Sequence, residues 1–181
     1  MKESELVIFD FDGTLFSIDI DWKRLYSEMS TVGREYGHVG DFDNLIEAYR
    51  WAANVYGAKR RLVEVQDEFE SGGISSRRVD RGAAAARWRL ERGKPSAVLS
   101  LNTSYTLDAV VGSWGFYPVV TIDKVERPKP DPQGLDMILG TLKLTPGDAV
   151  FIGNSDIDRR CARARSMTYV DVALLEEEWF R

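Results

Sequence analysis

The chain has 181 residues, 44% of them hydrophobic, with five tryptophans; this suits one packed core plus a modest insertion and argues against disorder. A formal net charge of −5 disfavours nucleic acid as a partner, because phosphate-backbone binders carry a basic field. One cysteine and one histidine exclude an intramolecular disulfide, a multi-cysteine metal centre and a histidine zinc cluster.

In chain order, charged Lys2, Glu3 and Glu5 lead directly into an apolar run at 6–9, which reads as a buried strand. With no signal peptide expected and no run long enough to span a bilayer, a cytoplasmic protein without membrane partners is expected. From about Ser17 to Arg81 strand patterning stops. Trp22, Leu25, Tyr26 and Met29 share one helix face; Leu45, Tyr49, Ala52 and Tyr56 a second; Leu62, Val65 and Phe69 a third. Glycines at 33, 37, 40, 72 and 73 separate or end these helices. His38, between two of those glycines, reads as a surface turn residue, and Asp21 as the N-cap of the first helix. Arg77, Arg78, Arg81, Arg87, Arg89 and Arg92 read as the solvated face of a helix beginning near Val79, whose alanines at 83–86 return the chain to the core.

Strands then alternate with helix-period segments. Apolar runs at 97–99, 118–122, 149–152 and, more weakly, 168–170 are strands. Between them lie helices marked by Leu107, Val110, Val111 and Trp114, by Leu135, Ile138, Leu139 and Leu142, and by Ile157, Cys161 and Ala164. Nearly continuous apolar strands alternating with helices predict an α/β fold: a doubly wound parallel sheet of five strands. The small all-helical cap is inserted after the first strand. The expected division is a core of residues 1–16 and 82–181 and a cap of residues 17–81. Glu176 to Phe180 read as a terminal helix whose aromatics pack on the core or on a second subunit, so monomer and homodimer both stand.

The chemistry falls at strand ends, where open parallel sheets bind ligands. Asp10-Phe11-Asp12-Gly13-Thr14 follows the first strand. Asp10 can act as a nucleophile and Asp12 as general acid, then base. Gly13 allows a sharp turn that aims backbone N–H groups at an anion; Gly13, Thr14 and Asn102 form the candidate substrate-binding set. After the second strand come Ser100, Asn102 and Thr103, able to hold a phosphoryl oxygen. After the third, Lys129 stands between Pro128 and Pro130, a fixed charge suited to phosphate. The fourth ends in Gly153-Asn154-Ser155-Asp156-Ile157-Asp158, oxygen ligands beside a glycine turn that suit magnesium.

These four segments, in this order, resemble the signature motifs of the haloacid dehalogenase superfamily, and the insertion looks like the helical cap of phosphoglycolate phosphatases. The resemblance implies that Asp10 is nucleophile and metal ligand. It makes Asp12 the acid/base, ligating magnesium through its backbone carbonyl. Ser100 and Lys129 would hold the phosphoryl group, and Asn154 and Asp158 would complete the metal site, directly or through water. The superfamily's dehalogenases lack an aspartate where this chain has Asp12, which favours phosphoryl transfer. Most relatives carry aspartate where this chain has Asn154, so weaker magnesium affinity is expected, with Asp156 a candidate for the missing charge. The expected function is a magnesium-dependent phosphatase acting on a small phosphorylated metabolite through an aspartyl-phosphate. A phosphomutase, or a weakened regulatory protein on the same core, are the alternatives.

Overall fold

The computed structural model describes residues 4–176. Strand β1 (Leu6–Phe9) is fully buried and lies at the centre of the main sheet. The chain then forms a two-residue strand, β2 (Phe16–Ser17), and three helices, α1 (Trp22–Glu35), α2 (Leu45–Ala52) and α3 (Ala58–Ile74). It returns through β3 (Arg78–Val79), antiparallel to β2, into α4 (Arg81–Glu91). Then follow β4 (Ser96–Leu99), α5 (Ser104–Val111), β5 (Val119–Val120), α6 (Gln133–Leu142), β6 (Ala149–Gly153), α7 (Asp156–Arg163) and β7 (Thr168–Asp171).

The sheet order is β5-β4-β1-β6-β7, and every pairing is parallel, Ile8 lying beside Ala97 on one side and Phe151 on the other. The alternation of a strand explains the two covered faces. Val7 and Phe9 pack with Ala85 and Ala86 of α4 and Leu107 and Val111 of α5. Leu6 and Ile8 face Leu135, Ile138 and Leu139 of α6 and Cys161 and Ala162 of α7. The chain builds outward from β1 to β5, then crosses to β6, so a crevice opens beyond the carboxyl ends of β1 and β6.

The three inserted helices, called the cap below, form where expected, and Asp21 caps α1 by accepting from Arg24 N at 3.0 Å. Four local readings change. The interval 17–81 holds the short β2–β3 ribbon, since two residues carry too little pattern to show periodicity. The arginine cluster is not one helix face: Arg78 lies in β3, α4 begins at Arg81, Arg87 stacks over Trp114, and Arg92 over Trp88. His38 is half-buried, stacked 4.2 Å from the Phe42 ring and edge-on to Trp51. Tyr56, fully exposed, lies past the end of α2, as Trp114 lies past the end of α5. Cys161 lies in the core, and burial pushes its thiol up to about 12. The expected terminal helix reaches beyond Glu176, outside the described residues. No described helix is long and apolar enough to cross a membrane.

Candidate active site

Asp10 N donates to Ile152 O at 2.8 Å, extending the β1–β6 ladder one residue past the strand. The chain then turns tightly: Thr14, Leu15 and Phe16 N–H groups converge on Phe11 O, and Gly13 N donates to Phe16 O. Gly13 has φ +74, and a Cβ there would lie 2.0 Å from Asn154 Nδ2. Glycine is therefore required twice, for the left-handed backbone and for the approach of the loop after β6.

Asp10 is buried at this turn. Its Oδ1 accepts from Lys129 Nζ at 2.7 Å and its Oδ2 from Thr14 Oγ1 at 3.3 Å. Lys129, only 3% exposed, also donates to Asp158 Oδ1 at 2.6 Å and Leu99 O at 3.1 Å, using all three ammonium donors. Burial alone would lower the lysine pKa, but the Asp10 and Asp158 carboxylates outweigh it and hold the amine charged. Two buried carboxylates share one ammonium, leaving one negative charge in excess. Burial and the Asp158 charge accordingly push the Asp10 carboxyl up despite Lys129.

Asp158 Oδ2 accepts from Ser155 Oγ at 2.6 Å and Ser155 N at 3.2 Å, in a capping box that starts α7. Both its oxygens are thus engaged, and its contact with Asp10 runs through Lys129. Asp12 Oδ1 accepts from Ile18 N at 2.9 Å. Its pKa is raised, first by burial and then by the charge of Asp80.

A cleft of about 250 Å³ lies between cap and core. Asp10, Asp12, Asn102, Lys129, Asn154 and Asp158 form its polar wall. Ser100, Gly13 and Thr14 stand behind it. Ser100 is buried, its Oγ donating to Asn102 Oδ1 at 2.8 Å and accepting from Asn102 N at 3.0 Å. Asp156 is exposed and pairs with Arg159, away from the cleft. Among the described residues no three acidic, histidine or cysteine groups cluster as a metal site. The donors facing the cleft near Asp10 are nonetheless hard oxygens, and the uncompensated negative charge fits a divalent cation held by carboxylate and carbonyl oxygens.

Glu70 and Gln66, on α3 of the cap, escaped the sequence reading. Glu70 is fully buried. Its Oε1 accepts from Gln66 Nε2 at 2.7 Å and Asn102 Nδ2 at 2.9 Å, and its Oε2 from Thr103 N and Oγ1 at 3.1 and 3.2 Å. Gln66 also donates to Leu101 O at 2.9 Å. The cap thereby holds the loop after β4. The available signal was spacing: Leu62, Gln66 and Glu70 repeat every four residues, placing two polar side chains on an inward helix face.

A family model described as haloacid dehalogenase-like hydrolase matches residues 5–164. No curated protein matches the chain in sequence. Among solved structures, a haloacid dehalogenase-like hydrolase from Bacteroides fragilis is 18% identical, with TM-score 0.62, covering 98% of this chain and 92% of that one. A candidate phosphoglycolate phosphatase from Lactobacillus plantarum is 18% identical, with TM-score 0.63, covering 98% and 87%. CbbY from Rhodobacter sphaeroides, solved in complex with phosphate, is 18% identical, with TM-score 0.62, covering 92% and 85%. At such identities the likeness speaks for the fold. The family match takes in the turn after β1, the loop of Lys129 and the loop of Asn154, and on it the chain belongs to the haloacid dehalogenase-like hydrolases.

Proposed function

We propose that this hydrolase is a magnesium-dependent phosphatase that cleaves a small phosphorylated metabolite through an aspartyl-phosphate on Asp10. The observation that carries the reading is the pairing of Asp10 and Asp12 on the turn after the central strand, with a buried, charged Lys129 held 2.7 Å from Asp10. The candidate phosphoglycolate phosphatase and the phosphate-bound CbbY among the structural neighbours point to the same chemistry.

Asp10, the Asp12 backbone carbonyl and Asn154 Oδ1 would hold the metal. When bound, magnesium supplies positive charge that offsets the repulsion between carboxylate and phosphate. An Asp10 carboxylate oxygen attacks phosphorus as the bond to the leaving oxygen breaks, and Asp12 gives its proton to that oxygen. The raised pKa of Asp12 favours the protonated form that this step needs. Asp12, now a carboxylate, then takes a proton from the water that attacks the phosphorus, releasing phosphate and restoring Asp10. Lys129 supports the charge on the transferring group, and Asp158 keeps its amine in place.

The test is phosphate release from para-nitrophenyl phosphate with magnesium chloride or with excess EDTA, comparing wild type with Asp10→Asn. Magnesium-dependent turnover that disappears in the variant is expected. Equal rates in the two proteins would sink the reading.

A further inference from the structure

The cleft has a second wall, which the phosphate chemistry leaves unused. Beyond Asp10 and Asp12, the cap lines it with Trp22, Tyr26, Leu45 and Ile46, and the core adds Leu101 and Ile157. Trp22 and Tyr26 stand one helical turn apart on α1, ring centroids 5.9 Å apart and tilted by 35°. Among the described residues Lys129 is the only cation in this lining, and its three donors are all committed within the protein. The cap's cations point elsewhere: Arg24 lies over the Phe69 ring, Arg50 lines a separate hollow with Arg127, and Lys59 donates to Val125 O. The polar groups that the cap does place in this lining, on Trp22, Tyr26 and Asn44, are neutral. Asn44 uses Oδ1 to cap α2, leaving Nδ2 as a donor.

A carboxylate or second phosphate on the leaving group would meet no cationic side chain of the cap in this wall, so its lost hydration would go uncompensated. An aromatic group would be stacked and buried there instead. The volume, about 250 Å³, falls below the roughly 300–1,000 Å³ of pockets for drug-sized ligands, so the group is small. We infer that the substrate is the phosphomonoester of a small, uncharged, aromatic alcohol, and that Trp22, Tyr26, Leu45 and Ile46 select it. This rests on the phosphatase reading above.

Benzyl phosphate and 2-phosphoglycolate both release aliphatic alcohols, so their comparison tests the wall rather than the leaving group's acidity. The expected kcat/KM favours benzyl phosphate by about tenfold or more, the scale at which hydrophobic pockets discriminate. Trp22→Ala should lower kcat/KM for benzyl phosphate several-fold, and Ile46→Lys should move the preference toward phosphoglycolate. Binding gives a readout independent of turnover: calorimetry should find benzylphosphonate bound more tightly than phosphonoacetate. Preference for phosphoglycolate and phosphonoacetate, with magnesium-dependent turnover intact, overturns this inference and leaves the phosphatase reading standing. Silence toward every phosphomonoester, para-nitrophenyl phosphate included, overturns both.

Discussion

At the scale of single residues, the site depends on contacts with no slack. Gly13→Ala puts a Cβ 2.0 Å from Asn154 Nδ2 at φ +74, so both the turn and the asparagine must move. In the proposed metal site such a displacement should cost about 10–100-fold in affinity or activity, and magnesium titration of para-nitrophenyl phosphate turnover measures it. In the proposed magnesium site Asn154→Asp should act in the opposite sense, lowering the magnesium concentration for half-maximal rate, because it replaces a neutral ligand with a carboxylate. Glu70 offers a stability test. Burial raises its pKa above the ordinary 4.5, so the folded state holds a proton that the unfolded chain releases as pH climbs from that value. Its contribution is therefore best at low pH and declines as pH rises through the raised folded pKa. In Glu70→Gln the amide presents donors to donors, costing about 1–3 kcal/mol. The stability difference between wild type and variant, followed by urea unfolding from acid to neutral pH, should narrow as pH rises. A constant difference would contradict the assigned shift.

At the scale of elements, the cap is fastened at two places. One is the β2–β3 ribbon, where Ser17 Oγ donates to Asp80 Oδ2 at 2.7 Å and Gly82 packs on Thr14 O. The other is α3, whose Gln66 and Glu70 grip the loop after β4. Between them α3 passes so close to the linker that a Cβ on Gly73 would meet Ile18 Cγ2 at 2.3 Å and Asp19 O at 2.5 Å. Gly73→Ala should thus destabilise by about 1–3 kcal/mol through overpacking, and a thermal melt should fall by several degrees. An unchanged melting temperature would mean that the linker yields freely. Helices α1 to α3 were legible because their apolar faces are long enough to repeat. The ribbon was not, and the polar fastening on α3 was hidden because an inward-facing glutamate has the same letter as a solvated one.

At the scale of the molecule, cap and core share one apolar cluster. It runs from Phe9 and Leu107 through Phe11, Leu15 and Phe16 to Leu25, Met29 and Leu62. A continuous core unfolds as a unit, so far-ultraviolet circular dichroism and tryptophan fluorescence should trace one coincident transition, with Trp22 and Trp51 in the cap and Trp88 and Trp114 in the core. Separate midpoints would show that the two parts fold independently. Phe151, buried beneath α6 and α7, is an anchor of the other face, and Phe151→Ala should cost about 3–5 kcal/mol.

The sequence by itself determined the parallel α/β sheet, the helical insertion and the four loops that carry polar chemistry. Each of those rests on local information: the period of apolar residues, glycine and proline punctuation, and short motifs at strand ends. Tertiary structure decided what local patterns cannot encode. It turned Asp158 toward Lys129 and Ser155, withdrew Ser100 behind Asn102, and sent Asp156 to Arg159. It also gave Asp12 its raised pKa through burial and Asp80, sixty-eight residues away in the chain. Above all it brought Trp22, Tyr26, Leu45 and Ile46 into one cleft with Asp10 and Asp12. Which side chains line that cleft follows from where the cap docks, and that is set by long-range packing rather than by any segment alone.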